Sequence, residues 1–257
     1  MTSTTKWVCA SACLLAALGT VPARSQPMEI KEKPAMYSYV ANWEIPRDKW
    51  KDIESRAGNI NGLMDKFLAD GSIVAHGNDI TLIHKEGEST HDTWWSSMSW
   101  AGLLKVLAAA KSSGAADAPV YATGKHYDRV LVARYYNWRS GAFTNGYTRV
   151  ATWTLKPDAP NDAIDQIAKN LMAPILEKLL ADGAIYEYEI DEQAIHIENP
   201  GVFMVVLIAN GPEGLDKFNA AVAEFGKTAP LASSAFYAWM DYTAHRDFLF
   251  QTAATYK

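Results

Sequence analysis

Cysteine is almost missing from this chain: the only two, Cys9 and Cys13, fall inside an apolar N-terminal stretch. If that stretch is removed, no disulfide, thiolate nucleophile or cysteine-type zinc site remains, and the core alone must hold the fold. Excess positive charge is absent too. There are 24 Lys and Arg against 29 Asp and Glu, so nothing is left over to neutralise phosphates, and a nucleic-acid partner is excluded. No Gly-x-Ser-x-Gly, Walker loop or Gly-x-Gly-x-x-Gly occurs, so the hydrolase, nucleotide and dinucleotide readings lack their local signatures. The apolar run Trp7 to Leu18 is too short to span a bilayer comfortably.

What is present begins with an address. Residues 1–25 carry Lys6, the apolar run and the ending Val21-Pro22-Ala23-Arg24-Ser25, which reads as a secretory signal cleaved near Ser25. An uncleaved anchor is the alternative. Cleavage leaves 22 basic residues against 29 acidic ones, a charge of −7, on a periplasmic or secreted protein without a membrane partner. Residues 26–35 then form a short N-terminal extension.

The strongest internal signal is a duplication. A shift of 112 residues lays Leu68-Ala69-Asp70-Gly71 on Leu180-Ala181-Asp182-Gly183, Ile83-His84 on Ile195-His196, and Gly102-Leu103 on Gly214-Leu215. Residues 63–110 give 15 identities in 48 ungapped pairs, where ordinary composition gives about three. Small adjustments add Val40-Ala41-x-Trp43 on Val150-Ala151-x-Trp153, and His126-x-Asp128 on His245-x-Asp247. A period of this size means a doubled domain: repeats at 36–138 and 147–257, joined by 139–146.

Each repeat reads β-α-β-β-α-β. In the first, a β-rich segment at 36–44 precedes a helix carrying Trp50, Ile53, Ala57, Ile60, Met64 and Phe67 at three- and four-residue steps. Gly71 follows as a left-handed cap. Strands near 72–84 and 92–98, a helix at 100–112 and a strand at 129–136 complete the unit. The second repeat has strands at 147–155, 184–197, 202–209 and 246–252, with helices around Ile164 to Leu179 and after Pro212.

That order is the ferredoxin-like split unit. Two such units with facing sheets make the dimeric α+β barrel, and the chain resembles that superfamily, with both halves fused in one polypeptide. The expected fold is therefore α+β: two tandem ferredoxin-like units forming one pseudo-twofold barrel. The resemblance implies a pocket without fixing a reaction, since members include cofactor-free monooxygenases, haem-dependent peroxidases, chlorite-degrading enzymes and proteins without known activity.

Features in both halves are expected to serve the shared scaffold. Trp43 and Trp153 read as core, His126-x-Asp128 and His245-x-Asp247 as turns, and Glu187, Glu189, Asp191 and Glu192 as a solvated strand and turn. His84 and His196 fall out of phase with Ile83 and Ile195, which would turn them toward the barrel, as a general base or as structural histidines. A zinc site from His84, His91 and a hairpin glutamate is outweighed by a solvated hairpin, and no metal is expected.

Unshared polar and aromatic residues lie in the first half. His91 to Met98 carries a histidine, hydroxyls and two tryptophans where the second half has Phe203 to Asn210. Trp94 and Trp95 point to opposite faces. The expected pocket comprises Tyr37, Tyr39, Trp95, Ser97, Arg134 and Tyr135, with His84 or His91 as general base and Arg134 holding an anionic group. Its ligand would be a small apolar or aromatic molecule, and no cofactor is expected. Two alternatives stand beside it: a self-association or partner-binding face using the same aromatics, and a haem enzyme.

Overall fold

The computed structural model describes residues 30–55, 57–114 and 117–257, with the backbone alone for 57–60. The expected leader at 1–25, residues 26–29 of the extension and the side chain of Ile60 lie outside the described residues.

Among the described residues eight strands form the sheet: β1 (Met36–Glu44), β2 (Ala75–Thr81), β3 (His91–Ser97), β4 (Lys125–Trp138), β5 (Gly141–Thr154), β6 (Ile185–Gln193), β7 (Val202–Ala209) and β8 (Arg246–Tyr256). They are hydrogen-bonded in the order β1-β3-β2-β8-β5-β7-β6-β4, and β4 returns to β1. Every pairing is antiparallel. The predicted α+β pair of ferredoxin-like units with facing sheets gives way to one closed eight-stranded antiparallel barrel. The cause is the reach of the last strand in each half. β4 pairs with β1 on one side and β6 on the other, while β8 pairs with β5 and with β2. Edges that two separate sheets would leave open are thereby used, which removes unpaired backbone groups from both halves.

Helices cover the outside of the barrel. In the first half α1 (Trp50–Glu54) and α2 (Ala57–Asp70) divide the stretch read as one long helix, and α3 is Trp100–Ser112. In the second, α4 (Ala163–Ile167), a π-helical turn (Ala168–Met172) and α5 (Ala173–Ala181) run consecutively, followed by α6 (Pro212–Thr228) and α7 (Pro230–Trp239). Helix α7 and the first six residues of β5 lie outside the elements that the sequence pattern predicts.

Strand alternation decides what each layer contains. On β6, Tyr188 and Ile190 face the helices and join Leu176, Leu179, Phe203 and Leu207 in the larger core. A smaller core in the first half gathers Tyr39, Met64, Ile73, Trp95, Leu103 and Val106. Gly71 and Gly183 have φ of 79° and 71°, the left-handed caps that the repeated Ala-Asp-Gly requires. Among the described residues no helix is long and apolar enough to cross a membrane.

Candidate functional site

The residues that the strands turn inward line a cavity of about 80 Å³ in the barrel lumen. One wall is apolar, with Val150 from β5, Met204, Val206 and Ile208 from β7, and Phe248 and Phe250 from β8. The other is acidic. It holds Asp79 from β2, Asp92 from β3, and Glu187, Glu189 and Asp191 from alternate positions of β6, all 7% exposed or less.

These carboxyls are placed by register. Asn42, Asp92, Asp79 and Thr252 stand opposite one another across β1, β3, β2 and β8, forming a polar rung around the barrel. Thr252 donates to Asp79 Oδ1 at 2.6 Å and also bonds Thr148. Ser89 donates to Asp92 at 3.3 Å. Ser38 donates to Glu189 at 3.2 Å and lies 2.8 Å from the hydroxyl of Ser96. Trp94 is the bulky lumen residue of β3; its ring covers Gly77, where any Cβ would come under 3.0 Å from the indole.

Taking a carboxylate out of water favours its neutral form. Burial, reinforced by the charge of Asp92, pushes Asp79 up to about 8 against the hydrogen bond from Thr252. Burial raises Asp92 to about 6, opposed by hydrogen bonds from Asn42 and Ser89 and by the charge of Arg129. Glu187, Glu189 and Asp191 are raised by burial as well, and their mutual repulsion adds to the shift in Glu187 and Asp191. Several buried atoms on this wall have no hydrogen-bond partner: Asn42 Oδ1, Asp92 Oδ1, Glu187 Oε1, Asp191 Oδ1 and the Tyr256 hydroxyl. Each is an unmet hydrogen-bonding demand facing the cavity.

The lumen opens past Arg129. Its guanidinium pairs with Glu198 at 2.9 Å and lies over the Tyr127 ring, while its buried Nε has no partner. Arg129 and Phe248 also border a wider vestibule of about 540 Å³, lined by Glu88, Thr152, Glu198 and Arg246 among others. A ligand of a few heavy atoms fits the inner cavity, and anything larger has to extend into this vestibule.

Among the described residues no three of His, Cys, Asp or Glu gather in a metal-holding group, because the lumen acids are spread over three strands. None of the six histidines lines the lumen, and about 80 Å³ is far below a porphyrin. Outside the sheet, the space beneath α5 is filled by Leu176, Leu179 and Phe203. Haem does not fit this chain in either place.

The residues singled out from sequence sit on the other side of the wall. Tyr37, Tyr39, His91, Trp95 and Ser97 have the outward phase of β1 and β3, whereas Ser38, Val40, Asn42, Asp92, Trp94 and Ser96 turn inward. The structure brings Tyr39 and Trp95 together as a stack (ring centroids 4.3 Å apart) beneath α3, with the indole donating to the Leu103 carbonyl. Tyr37 meets Trp100, and Ser97 donates to the Ser72 carbonyl at 2.7 Å. Arg134 is exposed and paired with Glu32; Tyr135 donates to Asp165 beside α4. His84 lies beyond the end of β2, exposed and edge-on to Trp50, so the strand-phase argument does not reach it. With Trp94 inside and Trp95 under a helix, the expected aromatic association face is not presented either. Ser97→Ala is expected to cost about 1 kcal/mol in urea unfolding and to leave the lumen unchanged. A larger effect on ligand binding than on stability would restore Ser97 to a binding role.

Two further readings are corrected. His126 and Asp128 lie within β4, share a face and pair at 2.9 Å, rather than forming a turn. His126 stacks on Trp43, and His245 stacks on Trp153 while pairing with Asp247, the same arrangement in each half. Glu187, Glu189 and Asp191 are buried, not solvated. Their signal was legible: acids alternate with Tyr188 and Ile190, and the 112-residue shift lays Asp79 on Asp191. Once the apolar face meets helices, the acids must face whatever the sheet encloses.

No family model and no curated protein matches the chain. Solved structures do. A proposed monooxygenase from Lactobacillus acidophilus NCFM aligns at a TM-score of 0.59 with 10% identity, covering 87% of this chain and 97% of that one. A proposed monooxygenase from Fusobacterium nucleatum subsp. nucleatum gives 0.62 with 8% identity, covering 88% and 95%. An anthrone oxidase-like protein gives 0.51 with 9% identity, covering 86% and 92%. At such identities the likeness establishes a shared fold.

Proposed function

We propose that the chain, exported if residues 1–25 act as the leader they resemble, binds a small molecule in the barrel lumen and exchanges protons with it through Asp79 and Asp92. The observation that carries this reading is the facing pair itself: two carboxyls opposite each other across β2 and β3, both turned into the cavity. With Asp92 raised to about 6 and Asp79 to about 8, the pair holds one proton near neutrality. Such a pair holds an acid and a base side by side, which is what proton transfer to and from a bound molecule requires. The histidine base expected from sequence is replaced in this role, because His84 and His91 stand outside the lumen. The oxidase and monooxygenase descriptions of the structural neighbours agree with small-molecule chemistry in such a barrel.

The two walls specify the ligand's character. One end is apolar, and the other carries N–H or O–H donors for the unpartnered acceptors of Asn42, Asp92, Glu187 and Asp191. A cationic end gains most, since it replaces protons on the raised carboxyls. Calorimetry with n-butylamine, n-butanol and butyrate, each in buffers of different ionisation enthalpy, tests this. At pH 7 the amine is expected to bind with release of about one proton, butyrate to be rejected, and Asp79→Asn to remove that release. Equal binding of butyrate, or no proton movement with the amine, defeats the reading.

A further inference from the structure

Outside the barrel, between α1 and the outward faces of β2 and β3, lies a separate groove of about 200 Å³. Its walls include Trp43, Ile53, Glu54, Asn78, His91 and Tyr121. Trp43 and Tyr121 supply its aromatic surface, with ring centroids 4.3 Å apart, and behind the groove Trp50 meets His91 edge-on at 5.5 Å. His91 itself is 6% exposed.

Thr90 is the hydrogen-bond partner of that imidazole. The Thr90 hydroxyl accepts from the Ile45 N–H at 2.9 Å and donates its single proton to the Trp43 carbonyl at 3.0 Å. His91 Nδ1 lies 2.9 Å from the same oxygen, and with the hydroxyl proton on the Trp43 carbonyl it is the donor. That leaves Nε2 as a bare lone pair, buried and without a hydrogen-bond partner. Glu54 approaches it at 3.9 Å but brings only further acceptor oxygens. Burial holds the ring neutral by lowering its titration to about 4. The other charged groups bordering the groove are Asp79 and Asp92 on the strands behind it.

We propose that this groove is a second small-molecule site, distinct from the lumen, in which His91 Nε2 accepts a hydrogen bond from an O–H or N–H donor on a planar aromatic ligand. Three features converge on that chemistry: the aromatic rings of Trp43 and Tyr121, a volume suited to one ring, and one buried ring nitrogen without a partner. A neutral imidazole beside a carboxylate repels anions and favours a neutral donor.

Phenol and anisole, which differ in the donor, are the probes. In protein labelled with ¹⁵N at histidine, the free His91 Nε2 is expected to resonate as an unprotonated nitrogen. Phenol should move it saturably toward the protonated position, and anisole should not. His91→Phe is expected to weaken phenol about tenfold or more, with butylamine binding in the lumen unchanged. If His91→Phe does not fold, Tyr121→Leu, at the half-buried rim, is expected to weaken phenol by a similar factor. A protonated Nε2 in the free protein, equal responses to phenol and anisole, or undiminished phenol affinity in these variants overturns the proposal. Since the readout is one nitrogen outside the barrel, its failure leaves the lumen reading standing, and the reverse also holds.

Discussion

Thermal unfolding is expected to occur at a higher temperature at pH 6 than at pH 8, the opposite of the acid sensitivity common among proteins rich in paired carboxylates. The folded pKa of Asp79 is raised to about 8, against 3.8 for the unpaired group. Between those values the unfolded chain gives up this proton while the folded chain keeps it. The unfolded state therefore binds fewer protons, and stability falls as pH rises through the window. From pH 6 to 8 Asp79 alone accounts for about 2 kcal/mol, or roughly 5 °C in a domain of this size. Glu187, Glu189 and Asp191 act with the same sign. Opposition comes from His76 and His91, whose lowered values make acidification unfavourable, but chiefly below the ordinary histidine value of 6.5. Between pH 8 and 7 that opposition is small. Asp79→Asn should flatten the slope and raise the midpoint at pH 8. A midpoint that climbs from pH 6 to 8 in the unaltered protein would mean that the lumen acids are ionised and compensated, and the account of this wall would be wrong.

The second large effect concerns two glycines that the duplication pairs. Gly102 and Gly214 lie in the first turns of α3 and α6, where helix propensity favours alanine by about 1 kcal/mol. Yet a Cβ at Gly102 would come under 3.0 Å from the Ser72 carbonyl oxygen and Ser97 Oγ, and one at Gly214 under 3.0 Å from the Ala184 carbonyl oxygen. Ser72 and Ala184 directly follow the left-handed caps Gly71 and Gly183, so those carbonyls are held by the helix ends and cannot withdraw. Gly214→Ala and Gly102→Ala are each expected to destabilise by about 3 kcal/mol, overpacking outweighing propensity. Gly62, in α2, has nothing within 4 Å of its would-be Cβ and supplies the control, with Gly62→Ala stabilising by up to about 1 kcal/mol. Denaturant midpoints that move in the same direction for all three would show that the helices do not approach their carbonyls this closely.

These glycines illustrate what could be read from sequence. The repeat exposed Gly71, Gly102 and their partners because backbone contacts tolerate one residue type and so survive in both copies. Strand alternation was equally visible, and it separated Trp94 from Trp95 and the acids of β6 from Tyr188 and Ile190. Which face is the inside was not visible. Pairing of β4 with β6 and of β8 with β2 depends on residues far apart in the chain, and no local pattern marks a strand as having partners on both edges. With the strand pairings around the barrel unknown, acids read as solvated and aromatics as pocket. Closure turns the polar face inward and the aromatic face toward the helices.

The order of synthesis gives that closure a further meaning. β2 comes early in the chain, yet one of its neighbours is β8, which follows it by more than half the sequence. While the ribosome is producing the intervening strands, β2 has a bare edge and the acidic wall is open to water, where its carboxyls ionise at little cost. Such long-range pairing also makes folding slow. The acidic wall should therefore stay open and negatively charged until β8 emerges, and the carboxyls should take up protons as that strand docks. Burial of β8 and proton uptake would then be a single event, with a rate that depends on the acidity of the compartment in which it happens.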